Sequence, residues 1–210
     1  MDLALFPEAY LQGYAIDRET ITRRALSLKD DIVARVLASL AAFNATIVLG
    51  MIERRAALLH DTALVVRDGR VIGAHAKTHP YEPGFDAGTA YPLFERNGWR
   101  FGINICSDAN FVEPALALSR QGARLLCYPL NNMLRVKNAE NWRARGPANL
   151  SARARETGCW VVSADVVGTH ADQTSHGCTL IVDPEGSIRA RVPEDEEGAL
   201  LFDLPSVRFS

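Results

Sequence analysis

The segment from Trp99 to Tyr128 constrains the fold more than any other part of the chain. Trp99–Cys106 and Arg124–Tyr128 are apolar runs of strand length, and Glu113–Gln121 between them has helical spacing. Parallel strands need a long crossover connection, usually a helix, and this order supplies one. The segment therefore predicts a parallel pair of strands, with Cys106 at the end of the first.

Hairpins and further strand and helix signals extend this prediction to an α/β protein. Ala57–Val66 and Arg70–Ala76 flank Asp68-Gly69, a dipeptide typical of a hairpin turn, and Asp30–Phe43 has the spacing of an amphipathic helix. The other predicted elements are strands Leu3–Phe6, Thr46–Ile52, Trp160–Asp165, Cys178–Val182, Ile188–Val192 and Ala199–Phe202, and a helix Ala139–Glu156 broken at Gly146-Pro147. We expect one domain over residues 1–210, with a mixed sheet or two stacked sheets.

Composition and charge limit the classes of function. The chain has 210 residues, of which 48% are hydrophobic, so it can bury one sizeable core. Its formal net charge is -2 and its charges are scattered, so the sequence has no basic stripe for nucleic acid or an anionic membrane. The first residues lack the pattern of a signal peptide, and no later run is long enough to span a membrane. We expect a cytoplasmic protein that binds a small molecule.

Neither the cysteines nor the histidines form a metal motif. The cysteines are Cys106, Cys127, Cys159 and Cys178. They are widely spaced and form no CxxC pair, which argues against a zinc ribbon and a dithiol redox motif. His75 and His79 are four residues apart, but they lie in a strand-to-loop segment with no third ligand in view. We therefore expect reduced thiols and no metal site.

Cys106 is the first candidate catalytic residue. An apolar strand delivers its thiol to the polar turn Ser107-Asp108 before a helix begins. Such a turn holds a nucleophile away from the backbone and leaves N–H groups free to bind an oxyanion. A free cysteine is more often a small buried hydrophobic residue, and local sequence alone favours that interpretation.

Lys77 and Glu8 also lie where predicted strands run into loops. A fixed ammonium group at Lys77 would stabilise negative charge on a carbonyl oxygen and would favour a neighbouring thiolate. Glu8 follows Phe6-Pro7 among apolar residues, which can raise a carboxyl pKa enough for a general base near neutrality. Taken singly, each is more often an ordinary solvated side chain.

Together, three segments resemble the nitrilase superfamily of carbon-nitrogen hydrolases. They are Leu3–Tyr14 around Glu8, Asp68–His79 around Lys77 and Gly102–Asp108 around Cys106. Their order and spacing are also similar to those of the family. Further matches are Gln121-Gly122-Ala123, Tyr128-Pro129-Leu130-Asn131, Ala152–Glu156 and Asp183–Gly186. Cys106-Ser107-Asp108 resembles the amidase branch, because nitrilases usually place Trp-Glu after the cysteine.

The resemblance implies an αββα sandwich of two stacked mixed sheets that carries a Glu-Lys-Cys triad. Glu8 would be the general base, Lys77 would stabilise the tetrahedral intermediate and Cys106 would form an acyl-enzyme. The implied substrate-binding groups are Glu82, the backbone N–H of Ser107 and Asn131. The implied reaction is hydrolysis of a small linear amide or N-carbamoyl compound, releasing ammonia or amine, by a homodimer or higher homo-oligomer without a cofactor.

The beginning of the chain departs from the family pattern. Relatives carry another strand and helix before the Pro-Glu segment, whereas this chain starts at Met1 with that strand under way. We therefore expect the first strand-helix unit to be missing and one sheet edge to be exposed. The alternative function is a truncated, non-catalytic relative that acts as a subunit or binding module. An assembled site predicts one cysteine with a depressed pKa, whereas a collapsed site predicts four ordinary thiols.

Overall fold

Two larger β-sheets and a set of helices make up the computed structural model, which describes residues 1–205. The strands are β1 (Leu3–Leu5), β2 (Thr46–Arg55), β3 (Leu58–Arg67), β4 (Arg70–Ala76), β5 (Leu93–Arg96), β6 (Trp99–Ile103), β7 (Leu125–Pro129), β8 (Leu134–Arg135), β9 (Trp160–Ala164), β10 (Gly168–His170), β11 (Gln173–Ser175), β12 (Leu180–Val182) and β13 (Ile188–Arg191). The helices are α1 (Arg18–Arg24), α2 (Asp31–Leu40), α3 (Val112–Arg120) and α4 (Val136–Thr157), with a 3-10 turn over Cys106–Asn110. The first sheet has the order β1-β2-β3-β4, the second β13-β12-β9-β7-β6-β5, and a small third sheet β10-β11-β8.

The two larger sheets pack face to face. Val48 and Val65 are opposite each other on β2 and β3, and they share one buried cluster with Phe101 and Ile103 of the second sheet. Helix α2 covers the outer face of the first sheet, and α3 and α4 cover that of the second. Strands β2 and β3 are thus buried on both faces, which is why each is a nearly continuous apolar run. The layer order is the expected αββα sandwich.

The structure contains the predicted parallel pair and the predicted hairpin. Strand β6 is parallel to β7, which is parallel to β9, and α3 connects the first two. Strands β3 and β4 are antiparallel and meet at Asp68-Gly69, where both residues have positive φ. An Asp-Gly turn with this geometry matches the right-handed twist of the flanking strands.

Helix α4 runs without interruption through Pro147, so the predicted break at Gly146-Pro147 is wrong. A proline inside a helix costs about 3 kcal/mol. Leu150 and Ala154, further along the helix, are buried in the cluster beneath the second sheet, and their burial offsets this cost. Although α4 has 22 residues, no helix within residues 1–205 is long and apolar enough to cross a membrane.

The predicted strand Ala199–Phe202 is also wrong, because the described chain is irregular there. The ring of Phe202 packs on Trp160 with 5.7 Å between ring centroids, and Leu204 packs against the cluster between the sheets. The apolar residues of this segment therefore mark side-chain packing rather than backbone pairing.

Helix α1 was not predicted. It has seven residues, too few to show a helical period, and begins where the Asp17 side chain accepts a hydrogen bond from Thr20 N at 2.8 Å.

Candidate active site

The sheet topology brings the predicted catalytic residues to one region. Strand β4 runs parallel to β1 within the first sheet, so Glu8 and Lys77, which follow these strands, lie at the same sheet edge. Cys106 and Asn131 likewise follow the parallel strands β6 and β7. The backbone N–H of Glu8 donates to the carbonyl of Leu130 at 3.1 Å, which joins the two pairs across the sandwich.

Gly50 on β2 makes room for the segment that carries Glu8. A Cβ atom at this position would lie 2.3 Å from the carbonyl oxygen of Pro7 and 2.6 Å from the nitrogen of Ala9. Both are backbone atoms, so a larger residue would push the Pro7-Glu8 segment off the sheet. The position of Glu8 therefore depends on a glycine 42 residues away in the sequence.

The Lys77 ammonium group is surrounded by three buried carboxyl groups. Its Nζ lies 2.6 Å from Glu8 Oε1, 3.2 Å from Glu82 Oε1 and 3.3 Å from Asp61 Oδ2. Lys77, Glu8 and Asp61 are each 1% exposed. The Tyr14 hydroxyl donates a further hydrogen bond to Glu82. Three carboxylates around one cation repel one another, so the cluster favours a proton on one of them.

Asp61 is a carboxyl group whose pKa the cluster raises. Burial raises its pKa well above the ordinary value, and the negative charge of Glu8 raises it further, against the opposing effect of Lys77. For Lys77, burial acts to lower the pKa, but Glu8 and Asp61 outweigh it and hold the group as an ammonium. Sequence reasoning missed Asp61, although an aspartate inside the apolar run of β3 was a signal.

Asp61→Asn should make the stability of the protein less dependent on pH. A folded-state pKa above the unfolded value favours folding fully only below the unfolded pKa of about 3.9, and this contribution is lost as the pH rises toward the folded pKa. The free energy of unfolding of the wild type therefore falls by up to about 1.4 kcal/mol per pH unit in this range, and that of Asp61→Asn does not. Urea unfolding at pH 5 and pH 8 measures the difference, with exposed Asp203→Asn as the control. The prediction would be contradicted if the free energies of unfolding of wild type and Asp61→Asn differed by the same amount at both pH values.

The sequence predicted that Cys106 ends its strand. In the structure, Cys106 lies in a tight turn after the strand. Strand β6 ends at Ile103, and Cys106 begins the 3-10 turn with φ 42°, in the left-handed region. This conformation costs a non-glycine residue about 1–3 kcal/mol and persists only where surrounding contacts enforce it. The carboxylate of Asp108 enforces it here by accepting a hydrogen bond from Ile105 N at 2.9 Å.

Asp108 also ties the turn to the loop that follows Lys77. It accepts hydrogen bonds from the Thr78 hydroxyl and from His79 N, both at 2.8 Å. Burial acts to raise its pKa, but the ring of His75, 3.7 Å away, and the hydrogen bonds from Ile105 and Thr78 hold it at about 2. Asp108 is therefore ionised and sets the position of Cys106 relative to Lys77. Sequence reasoning gave it no role, although it is part of the motif around Cys106.

The resting thiol of Cys106 is protonated, contrary to the depressed pKa expected of an assembled site. Burial raises its pKa well above the ordinary value, Glu8 raises it further, and the opposing effect of Lys77 is smaller. The expected preference for a thiolate beside Lys77 is wrong because the lysine charge is already neutralised by carboxylates. A nucleophile at this position has to lose its proton during the reaction.

A cavity of about 380 Å³ opens above these groups. Lys77, Cys106, Glu82, Ser107 and Asn131 line it, so all predicted substrate-binding residues contact the same space. The Ser107 hydroxyl donates to the carbonyl of His79 at 2.6 Å, which holds its segment against the loop after Lys77. Helix α4 contributes a wall that sequence reasoning missed, because no local pattern distinguishes its residues Trp142, Asn149 and Leu150 from core residues.

Comparisons with known proteins identify the family of the chain. The carbon-nitrogen hydrolase family matches residues 1–209. A hydrolase of the pqqF 5′ region of Pseudomonas protegens is 30% identical over 203 residues, which are 93% of this chain and 69% of that protein. A nitrilase of Pyrococcus abyssi is 28% identical over 217 residues, which are 98% of this chain and 78% of that protein.

Solved structures show the same fold. An amidase from Nesterenkonia sp. AN1 superposes with a TM-score of 0.83 at 23% identity, over 97% of this chain and 80% of that one. Saccharomyces cerevisiae Nit3, of branch 10 of the nitrilase superfamily, gives 0.80 at 21% identity, over 94% and 74% of the two chains. The chain therefore belongs to the carbon-nitrogen hydrolase family.

Proposed function

We propose that the chain hydrolyses the C–N bond of a small linear amide or N-carbamoyl compound through an acyl-enzyme on Cys106. The observation that carries the proposal is the buried contact of 2.6 Å between Glu8 and Lys77, which lines the floor of the same cavity as Cys106. A general base, a fixed cation and a thiol thus meet at one water-poor site, which amide hydrolysis requires. The amidase from Nesterenkonia also has an active-site cysteine.

In the first half of the reaction, the Cys106 sulfur attacks the substrate carbonyl carbon while its proton passes to Glu8. Because the resting thiol is protonated, proton transfer and attack are coupled. The ammonium group of Lys77 and the backbone N–H of Ser107 stabilise the negative charge on the carbonyl oxygen. Glu8 then protonates the departing nitrogen, ammonia or amine leaves, and a thioester remains on Cys106.

In the second half, water hydrolyses the thioester. Glu8 accepts a proton from the water as its oxygen attacks the acyl carbon, and the sulfur leaves and regains the proton, which restores the thiol. Glu82, 3.2 Å from Lys77, holds the ammonium in place, and Asn131 borders the acyl group. Each turnover consumes one water and releases one acid and one ammonia or amine.

The contacts of Lys77 favour this enzyme over a non-catalytic subunit. A site that had lost its geometry would leave the buried Lys77 and Glu8 unpaired, at a cost of several kcal/mol.

We also propose that the protein works as a homodimer or higher homo-oligomer, which sedimentation analysis tests.

The test is ammonia release from a panel of simple amides, ω-amides, N-carbamoyl amino acids and nitriles, with the Cys106→Ala protein as the blank. Release that depends on Cys106 from any amide or N-carbamoyl compound supports the proposal. Release from nitriles alone would replace it with a nitrilase activity. No release across the panel would favour the non-catalytic alternative.

A further inference from the structure

The charged groups of the cavity are confined to its floor. Among the described residues that line it, the charged ones are Lys77 and Glu82. Both are already engaged, because Lys77 contacts three carboxyl groups and Glu82 accepts from Lys77 and from Tyr14. Three carboxyl groups, those of Glu8, Asp61 and Glu82, face one ammonium, so the floor carries a net negative charge even when one of them holds a proton.

The walls above the floor are largely apolar. They include Ile16, Tyr81, Pro83, Leu134, Trp142 and Leu150. Asn110 and Asn149 also line the walls, but their amide groups are bonded to each other, with Asn149 Nδ2 donating to Asn110 Oδ1 at 2.8 Å. Asn132 is likewise bonded to Asp165, with 2.6 Å between Nδ2 and Oδ2. The walls therefore offer a large apolar surface and few free hydrogen-bonding groups.

Two arginines that contact lining residues of the cavity already have partners. Arg145 is exposed and stacks over the Trp142 ring, 4.8 Å from its centroid. Arg153 is bound to Glu156 at 2.8 Å. A carboxylate on the far end of a bound substrate would thus lose its hydration without gaining a cationic partner, and a substrate ammonium would find no free carboxylate on the walls. Burying an uncompensated charge is strongly unfavourable.

We propose that the cavity selects substrates whose acyl group is neutral and apolar, so that its substrates are simple amides of aliphatic or arylaliphatic acids. This inference rests on the proposed function and narrows it, because N-carbamoyl amino acids and ω-amides of dicarboxylic acids carry a carboxylate at neutral pH. The apolar walls bind the hydrocarbon chain, and the net negative floor repels an anionic substrate.

Three amides of equal chain length test the proposal. Hexanamide is neutral, its ω-carboxylate analogue adipamate is anionic, and 6-aminohexanamide is cationic. At pH 7.5 we expect kcat/KM for hexanamide to exceed that of each charged analogue by at least about 30-fold, because a charged end group loses its hydration against the apolar wall. Equal values, or a preference for either charged analogue, would overturn the proposal.

A wall variant tests the same idea as a gain of function. Leu134→Arg places a guanidinium on the apolar wall and should raise the adipamate-to-hexanamide ratio of kcat/KM at least about 10-fold. Leu134→Met keeps the wall neutral and should leave the ratio unchanged. A ratio that does not rise in Leu134→Arg, or rises equally in both variants, would contradict the assignment of selectivity to this wall.

Protection of Cys106 separates failure of this inference from failure of the proposed function. Each amide is added at increasing concentration, and the rate of Cys106 alkylation by iodoacetamide is followed by peptide mass spectrometry. Protection by hexanamide at lower concentration than by adipamate supports the neutral-acyl preference even if neither amide is hydrolysed. Equal protection, or none by either amide, overturns it whatever the turnover assay shows.

Discussion

Cys106→Ala should lower the rate of amide hydrolysis by at least about 10³-fold, because the variant has no atom that can form the thioester. Alanine keeps a Cβ in the same left-handed backbone conformation, so the turn held by Asp108 remains. The measurement is the initial rate of ammonia release from the best substrate of the panel, at equal concentrations of folded protein.

Alanine substitutions of the other cysteines are the matched controls. Cys127, Cys159 and Cys178 are buried packing residues that do not line the cavity, so their variants should keep most of the turnover even if they lose some stability. Acid-quenched wild-type protein should carry the acyl mass on Cys106. A Cys106→Ala protein that still hydrolyses the substrate would exclude the proposed mechanism.

Lys77→Met should abolish turnover and should destabilise the protein by about 3–5 kcal/mol at pH 8. Methionine and lysine side chains have similar lengths. The loss of stability therefore comes from removing the positive charge that compensates Glu8 and Glu82 in the wild type. Without the ammonium, both carboxyl groups are harder to ionise, and each must take up a proton when the chain folds. A proton on these carboxyl groups removes the uncompensated charge, so the destabilisation should be smaller at pH 5 and should grow as the pH rises.

Urea unfolding of wild type and Lys77→Met at pH 5 and pH 8 measures this dependence. Lys29→Met is the control, because Lys29 is exposed in the turn before α2. Its unfolding free energy should stay within about 0.5 kcal/mol of wild type at both pH values. A loss in Lys77→Met that is independent of pH would mean that packing, and not charge compensation, is what Lys77 contributes.

The sequence predicted the layers of the fold well because apolar periodicity is a local property. Strands β2 to β4, helix α2 and the β6-α3-β7 unit each carry their pattern within one short segment. The break at Pro147 and the strand Ala199–Phe202 failed because packing against distant residues outweighed local preference. Helix α1 was too short to be detected by periodicity.

The candidate site was predicted in part, for a similar reason. Glu8, Lys77 and Cys106 stand in recognisable motifs, so their residue types and order were visible in the sequence. Asp61 and Asp108 belong to the same site, but their roles arise from contacts across different elements. Asp61 meets Glu8 and Lys77 only after β1, β3 and β4 have paired, and Asp108 joins the Cys106 turn to Thr78.

By itself, the sequence determined the family, the order of the longer strands and helices, and the presence of a carboxyl group, a cation and a thiol. The tertiary structure decided the protonation of these groups and the character of the cavity. A pKa depends on burial and on charges within a few ångströms, and only packing brings Asp61, Glu8 and Lys77 together. The apolar wall likewise combines residues from loops, β8 and α4 that have no relation along the chain.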